Sequence, residues 1–248
     1  MGSRQAGLRR GVAIAAMVVA PFAQGQDSDN WKGEAELGVL VTSGNTEETI
    51  ANGRLGLTHE VERWRNTGDL RSKYSKTDSE TTAEQYRAAV ETDYKFDERQ
   101  YWFLRGAYED DRFSGYDFES SVTTGYGNRL WQSGERSFLD LSAGLGYRYN
   151  RLDTVNAEGD DAEKEAIARF AGQFEYALSD NALFRQKLST EIGLDDNNSI
   201  SESETALQAS VVGNLSMKAA FRVKHASDAP AGFENTDTET SLSLLYGF

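Results

Sequence analysis

Cysteine is absent from this sequence, so disulfides cannot contribute to its stability. No window after residue 25 is apolar over the roughly 20 residues that a membrane-spanning helix needs. Basic residues are also scarce, because 26 Lys and Arg stand against 40 Asp and Glu and leave a formal net charge of −14. That acidity argues against nucleic acid as a partner, and the mean hydropathy of −0.61 is not that of a helical membrane protein.

Two features that are present argue for a folded β domain. The chain has 23 glycines and 11% aromatic residues, which argues against a disordered acidic chain. Its length of 248 residues fits one large β domain.

The N-terminus differs from the rest of the chain. Arg4, Arg9 and Arg10 precede an uncharged run, GVAIAAMVVAPFA, that ends at Ala23. Small residues then occupy the −3 and −1 positions of a cleavage site before residue 26, so we expect residues 1–25 to be a secretory signal. A transmembrane anchor is the alternative, but the run is too short to span. Cleavage would move the formal charge from −14 to −17 by removing the three arginines, and would leave residues 26–248 as one exported domain.

Apolar and polar residues alternate with period 2 along the rest of the chain, which predicts β-strands. Most segments have 10–15 residues, longer than the strands of soluble proteins and suited to a tilted strand that crosses a bilayer. The twelve predicted segments are 32–42, 48–63, 66–76, 83–96, 100–111, 119–131, 137–150, 163–177, 182–194, 202–215, 218–227 and 236–248. The first of them shows the pattern, with Leu37 and Val39 on one face and Glu34 and Glu36 on the other.

The connections between these segments alternate between long and short. The predicted long set contains TSGNTEE, KTDSETT and LDTVNAEGDDAEKE, and the short set contains ERWRN, DERQ and LSDN. Long loops on one rim and short turns on the other are typical of outer-membrane barrels. We therefore predict an all-β fold, a transmembrane antiparallel up-and-down β-barrel of about twelve strands. A soluble β-sandwich is the alternative, but it would place turns every 8–12 residues.

Aromatic residues cluster near the ends of the predicted strands, which fits two girdles at the membrane interfaces. One set is Trp64, Tyr94, Phe96, Tyr101, Trp102, Phe103, Trp131, Phe138, Phe184, Tyr246 and Phe248, and the other is Phe113, Tyr116, Phe118 and Tyr149. In the last strand, Leu242, Leu244, Tyr246 and Phe248 share one face. We expect this face to meet lipid and to resemble the signal read by the barrel-insertion machinery.

Three stretches carry a resemblance to a known family. They are WKGEAELGVLVTSGNTEE near the start, THEVERWRN where the second strand ends at a turn, and VKHASDAPAGFENTDTETSLSLLYGF at the end. The sequence resembles, over nearly all of residues 26–248, the family of salt-induced outer-membrane proteins of unknown function. That resemblance implies a β-barrel in a Gram-negative outer membrane, and only its name suggests a link to salt.

The polar face of the predicted strands carries charges of both signs, which we expect to line the lumen. The candidate lumen residues are Glu34, Glu36, Arg54, Arg71, Lys73, Arg105, Arg148, Arg169, Arg185, Lys187, Arg222, Lys224, Asp237 and Glu239. Of these, Glu34, Glu36, Asp237 and Glu239 belong to the first and last strands, which would be neighbours, and we expect one acidic wall there. The charged face suits a narrow conduit that selects solutes, or a lumen that paired charges fill. Twelve strands lie between eight, which enclose only side chains, and 16–18, which leave a channel.

A second candidate site combines His225 and Ser227 on one face of a strand with Asn235 beyond the next loop. Twelve-stranded outer-membrane phospholipases have a similar His and Ser on the lipid face, with an Asn that orients the His. Asp228 and Pro230 stand where those enzymes have Asn-Gly, so no oxyanion hole is predicted. The alternative is a His at headgroup depth and a Ser that starts a turn, and we predict no enzymatic activity.

Acidic loops offer a third candidate site. Asp160, Asp161, Glu163 and Glu165 lie in the longest connection, and Asp195 and Asp196 lie in another. Oxygen-rich loops suit divalent cations, but no EF-hand spacing is present, so we expect solvated loops that bind no resident metal or cofactor.

The expected partners are outer-membrane lipid, lipopolysaccharide and the barrel-insertion machinery. The expected function is a narrow porin-like channel for small hydrophilic solutes or ions, with a non-conducting structural or envelope-stress barrel as the alternative and a lipid-face hydrolase as the third hypothesis.

Overall fold

Twelve strands make up nearly all of the part of the chain that the computed structural model describes, which is residues 30–42, 48–78, 80–155, 159–195, 198–230 and 232–248. The predicted secretory signal at residues 1–25 lies outside these residues. No helix among the described residues is long and apolar enough to cross a membrane. The strands are β1 (Trp31–Thr42), β2 (Glu48–Glu60), β3 (Trp64–Thr77), β4 (Glu80–Lys95), β5 (Gln100–Asp111), β6 (Tyr116–Ser133), β7 (Ser137–Leu152), β8 (Ala162–Ser179), β9 (Ala182–Gly193), β10 (Ser199–Val212), β11 (Leu215–Ala226) and β12 (Thr236–Gly247).

Each strand pairs antiparallel with the strand that precedes it and the strand that follows it in sequence, and β12 pairs with β1. The prediction of an all-β antiparallel barrel of twelve strands is therefore confirmed. Closure leaves no exposed edge along most of the sheet, which protects these long strands from edge-to-edge aggregation.

The period-2 pattern separates an apolar exterior from a charged interior. Leu37 and Val39 on β1 are each 71% exposed, whereas Glu36, the residue before Leu37, is 7% exposed. The same holds at the chain end, where Leu242, Leu244, Tyr246 and Phe248 are between 51% and 63% exposed. Successive side chains of a strand point to opposite faces, so in a closed wall one set meets the surroundings and the other fills the lumen. An apolar outside with a polar inside is the arrangement of barrels that sit in lipid.

The two rims of the barrel differ less than the sequence predicted. The turn-side rim consists of connections 61–63, 96–99, 134–136, 180–181 and 213–214, and the described residues of the loop-side rim are 78, 112–115, 153–155, 159–161, 194–195, 198, 227–230 and 232–235. Most of the stretch KTDSETT, predicted as a long loop, belongs to strands instead, because β3 ends at Thr77 and β4 begins at Glu80. The register of β3 and β4 shifts at Thr82, whose Oγ1 donates to Ser75 Oγ at 3.0 Å, and the ladder continues to Thr77 and Glu80. Asp78, which follows β3, takes a left-handed backbone with φ of 48°.

One turn on the turn-side rim is organised by a single carboxylate. Asp97 accepts hydrogen bonds from the backbone N–H groups of Arg99 and Gln100, each at 2.8 Å. Such a side chain closes a turn locally, without help from the sheet. The pKa of Asp97 is lowered because these two N–H groups favour its ionised form.

The seam between β1 and β12 is the shortest ladder in the wall. It runs from Glu34 to Leu37 on β1 and from Leu244 to Gly247 on β12, with one further backbone pair between Gly33 and Phe248. The ladder between β1 and β2, in contrast, covers all of β1 from Trp31 to Thr42. The seam is therefore joined near the turn-side rim, and the loop-side parts of the two strands are held mainly by their other neighbours.

Two aromatic residues assigned to the interfacial girdle point into the lumen instead. Tyr101 and Phe103 of β5 are 8% and 1% exposed, while Trp102 between them faces outward. Their rings lie against glycines of β6 and β7, because a Cβ on Gly127 would stand 2.2 Å from the Tyr101 ring and one on Gly144 would stand 2.8 Å from Phe103. These glycines leave space for aromatic rings inside the barrel.

Two more girdle candidates also lie inside. Tyr116, at the loop-side start of β6, is 6% exposed and donates from its hydroxyl to Glu163 at 3.1 Å. Phe138, near the turn-side start of β7, lies under the guanidinium of Arg129, 4.4 Å from the ring centroid. Trp64, Phe96 and the other exposed aromatic residues do face outward, so the girdle is thinner than the sequence predicted.

Candidate functional site

The lumen is crossed by ion pairs that join opposite walls. Arg87 of β4 contacts Glu202 of β10 at 2.7 Å, and Arg71 of β3 contacts Glu204 of β10 at 2.7 Å. In the strand order, β4 and β10 are diametrically opposite. These side chains therefore reach across the interior, where they place charge in the path of any solute.

The loop-side half of the lumen is closed by a denser set of contacts. Lys224 of β11 binds Glu109 of β5 at 2.9 Å and Glu119 of β6 at 2.6 Å. Beside them Arg148, which is 2% exposed, forms an ion pair with Glu165 and donates to the carbonyl oxygen of Asn198. Buried charges of this kind are stable only when they are paired, and the pairing here leaves little room for water.

The middle and turn-side parts of the lumen carry a second network along the wall. Arg54 of β2 contacts Glu34 at 3.0 Å and Asp69 at 2.6 Å. Arg185 of β9 contacts Glu175 at 2.6 Å and reaches Glu34 at 3.6 Å. Each guanidinium thus engages two carboxylates, which suits the fixed fork of donors that arginine presents.

Nearest the turn-side rim, charged pairs combine with aromatic rings. Arg65 binds Asp93 at 2.7 Å and lies 4.9 Å from the centroid of the Tyr101 ring. Arg129 forms a two-pronged pair with Asp140, with contacts of 2.7 and 2.9 Å. Stacking on one face and pairing at the edge hold both guanidinium groups against the wall, and the centre of the lumen stays open at this level.

That opening is a cavity of about 560 Å³, which we call the vestibule. It extends from Lys32, Glu60 and Glu135 near the turn-side rim to Arg87, Arg105, Arg169 and Glu202 in the middle of the barrel. The last four residues also line a cavity of about 60 Å³ on the loop side, and a third cavity of about 50 Å³ lies beside it. The lumen therefore narrows from a wide turn-side chamber to spaces that hold a few water molecules.

The structure places the predicted lumen residues in three groups. The vestibule is lined by Glu34, Arg54, Arg71, Arg105, Arg169, Arg185, Lys187 and Arg222, and the two smaller cavities also take in Glu36, Lys73, Glu239, Arg148 and Lys224. Asp237 lies on β12 near the loop-side rim and is exposed. The expected acidic wall does not form, because Glu36 pairs with Lys218 at 3.1 Å and Glu239 pairs with Lys73 at 3.0 Å.

Several residues that organise the lumen were missing from the candidate set. Glu202 and Glu204 of β10 share their parity with the polar Gln208, opposite in parity to Leu207 and Ala209, so extending that alternation toward the strand start would have found them. Glu119 and Glu165 lie at the loop-side ends of β6 and β8, next to predicted loops. Their burial could not be read from the sequence because it depends on partners from distant strands.

The structure does not join His225 and Ser227 into a catalytic pair. Nδ1 of His225 lies 2.8 Å from Oγ1 of Thr236. The hydroxyl of Ser227 accepts from the backbone N–H of Ser199 at 2.8 Å. Asn235 donates to the carbonyl oxygen of Ala226 at 2.8 Å, so each of the three predicted residues is engaged in holding the loop-side ends of β10, β11 and β12.

The acidic loop candidates are partly inside the barrel. Glu165 is the buried partner of Arg148, and Glu163 accepts from the hydroxyl of Tyr116. Within the described ranges, no three carboxylate or imidazole side chains are grouped as a metal site would require. Asp196, the other acidic candidate beside Asp195, lies outside those ranges.

Comparisons with known proteins agree with this architecture. The family model described as protein of unknown function, DUF481, matches residues 35–248. The uncharacterized protein YdiY of Escherichia coli (strain K12) is 28% identical over 219 residues, which cover 87% of this chain and 82% of YdiY. The translocator domain of the autotransporter NalP from Neisseria meningitidis is similar in structure, with a TM-score of 0.51 and 12% identity over 88% of this chain and 87% of that domain. At this identity the similarity to the NalP domain concerns the fold alone.

Proposed function

Because the chain belongs to the family of proteins of unknown function DUF481, we propose its function from the geometry of the barrel: it is a narrow outer-membrane channel for small hydrophilic ions. The observation that carries the proposal is the vestibule of about 560 Å³, which has charged walls and reaches the turn-side rim. The apolar exterior supports a place in a bilayer, and the fold shared with the NalP translocator domain supports the outer membrane. Lipid, lipopolysaccharide and the barrel-insertion machinery are the partners that such a place implies.

The narrow middle of the lumen sets the size of what passes. Arg87, Arg105, Arg169 and Glu202 line both the vestibule and the small loop-side cavity, so they form the constriction between them. Three arginines and one glutamate leave a positive charge at this point. A positive constriction favours anions over cations of similar size, and its width restricts passage to ions that shed part of their water.

A second candidate function, a non-conducting structural barrel, is favoured by the loop-side contacts. Lys224 joins opposite walls through Glu109 and Glu119, and the Arg148–Glu165 pair is buried beside them. If these contacts persist in the membrane, the vestibule is a blind chamber open only at the turn-side rim.

Single-channel recording from the folded barrel in a planar bilayer distinguishes the two. If the barrel is a channel, we expect small discrete current steps and, in a salt gradient, a reversal potential that indicates anion preference. Arg105→Ser should raise the conductance and reduce the anion preference, because it widens the constriction and removes one of its charges. Leu104→Met, at the adjacent outward-facing residue, is the matched control and should leave both unchanged. A folded barrel that carries no current, in the parent and in Arg105→Ser, would replace the channel with the blind chamber.

A further inference from the structure

The charge of the vestibule is opposite in sign to that of the chain. Its wall contains eleven Lys and Arg side chains and nine Asp and Glu side chains, whereas the whole sequence carries −14. The lining of the vestibule therefore carries a formal excess of two positive charges inside an acidic protein. In a cavity with low-dielectric walls, such an excess attracts anions more strongly than the same charges would at an open surface.

The excess is concentrated on cations that lack close partners. Among the described residues, no carboxylate oxygen lies within 4.0 Å of Nζ of Lys187, because the acids around it are taken by arginines. Glu204, its cross-strand neighbour on β10, is bound by Arg71 at 2.7 Å and by Lys218 at 3.3 Å. The charge of Lys187 is also repelled by the arginines nearby, Arg71 among them. Lys187 thus presents to the cavity an ammonium group that has no carboxylate in direct contact among the described residues.

Two arginines deeper in the vestibule are also short of partners. The nearest carboxylate to Arg105 is Glu91, at 3.8 Å. Arg169 is 9% exposed, lies 3.5 Å from Glu191, and its Nε is buried without a hydrogen-bond partner. The two guanidinium groups are close enough to repel one another. Buried donors without acceptors are costly, so an anion between these groups would satisfy them.

The wall between these cations forms a recess with a hydrogen-bond donor. Lys187 of β9 is opposite Gln173 of β8, and Arg169 lies four residues further along β8, about 13 Å on a strand. Between them the wall is lined by Ala171 and Ser189, both small and both part of the vestibule. The recess therefore has a cation at each end and a serine hydroxyl in the middle, a span that suits a molecule with two or more anionic groups.

We infer that the vestibule binds a small multivalent oxyanion, with two or more carboxylate or phosphate groups, between Lys187 at one end and Arg105 and Arg169 at the other. This binding does not depend on the proposed conduction, because a chamber closed at the loop side could hold the anion as well as an open channel could. Access is from the turn-side rim, and short turns face the periplasm in outer-membrane barrels, so we propose that the anion enters from the periplasmic side.

The test is calorimetric titration of the folded full-length barrel in micelles, at low salt, with pyrophosphate and separately with citrate. Binding of either ion should be seen, since they represent the phosphate and carboxylate sources of the same chemistry, and it should weaken as salt is raised. Lys187→Met should weaken binding about tenfold or more, whereas Lys187→Arg should retain it. Removing Lys187 leaves no carboxylate without a cation, so this variant should fold as well as the parent.

The matched control is Lys73→Met, which removes a lumen cation that pairs with Glu239 outside the vestibule. It should leave the affinity unchanged. Failure of the parent barrel to bind either ion at about 1 mM would overturn the inference, and so would equal loss of affinity in Lys73→Met and Lys187→Met, which would indicate diffuse attraction. A barrel that conducts but does not bind would overturn this inference alone, and one that binds without conducting would overturn only the proposed channel.

Discussion

Replacement of Lys224 by methionine tests whether the loop-side half of the lumen is sealed. Lys224 is 15% exposed at its side chain and bridges Glu109 and Glu119. Without it Glu119 has no cation within 4.0 Å among the described residues, whereas Glu109 keeps Arg87 at 3.6 Å. Breaking a buried pair by removing one partner costs about 3–5 kcal/mol. Because only one of the two carboxylates is fully abandoned, we expect the lower value, about 3 kcal/mol.

The assay is equilibrium unfolding in urea, in lipid or micelles, followed by the fluorescence of the four tryptophans. Glu119→Gln added to Lys224→Met should recover most of the loss, because it removes the unpaired charge. Lys73→Met is the control, since its pair with Glu239 is 30% and 27% exposed and such exposed pairs contribute about 1 kcal/mol or less. Equal losses in Lys224→Met and Lys73→Met would refute the reasoning and would mean that water fills the loop-side half.

Three further outcomes follow from local geometry. Gly127→Ala should destabilise the barrel by about 1–3 kcal/mol through overpacking, because the new methyl meets the Tyr101 ring. In a Tyr101→Ala background, which has its own cost, the same change should cost little, and an equal cost there would remove the ring as the cause. Asp97→Asn should reduce stability above about pH 4 and match the parent at lower pH. The reason is that the folded-state pKa of Asp97 is lowered, so its carboxylate stabilises the fold above the unfolded-state pKa, and this stabilisation is lost as pH falls through the folded-state pKa. Urea unfolding at pH 7 and pH 2.5 checks this, and a pH-independent difference between the two proteins would contradict it. Phe248→Ala should slow assembly in a reconstituted insertion assay while the folded barrel remains stable, because the Phe248 ring is 52% exposed; an unchanged assembly rate would count against an insertion signal there.

The barrel itself was predictable because its main signal is local. Alternation fixes which side of the wall each residue faces, and the contrast in polarity between the neighbouring residues Glu36 and Leu37 can be read directly from the sequence. Strand ends were predicted less well where polar residues stand on both faces, as around Thr82, because the β3–β4 register shifts there and the ladder then continues to Thr77 and Glu80.

The lumen was predictable as a charged surface and not as a set of partners. Arg71 and Lys187 both carry the parity that places them inside, yet one is paired across the barrel and the other is not. Which cation pairs with Glu204 depends on the stagger of the strands around the barrel and on the length of the side chains that extend from the opposite wall. Phe103 shares its parity with Arg105, so the alternation of β5 already contradicted its assignment to the outer girdle. What β5 could not show is the space for the ring, which glycines in two other strands provide.

The short seam between β1 and β12 determines where the wall parts first under load. Twisting or thinning of the surrounding bilayer stretches every ladder in the ring, and the junction with the fewest shared hydrogen bonds opens before the rest. The backbone pairs of that junction run from Gly33 to Leu37 near the turn-side rim. Separation of β1 from β12 would therefore begin at their loop-side ends and stop at the paired residues near Phe248. A barrel closed in this way can widen at its loop-side rim while the β1–β12 hydrogen bonds at its turn-side rim remain intact.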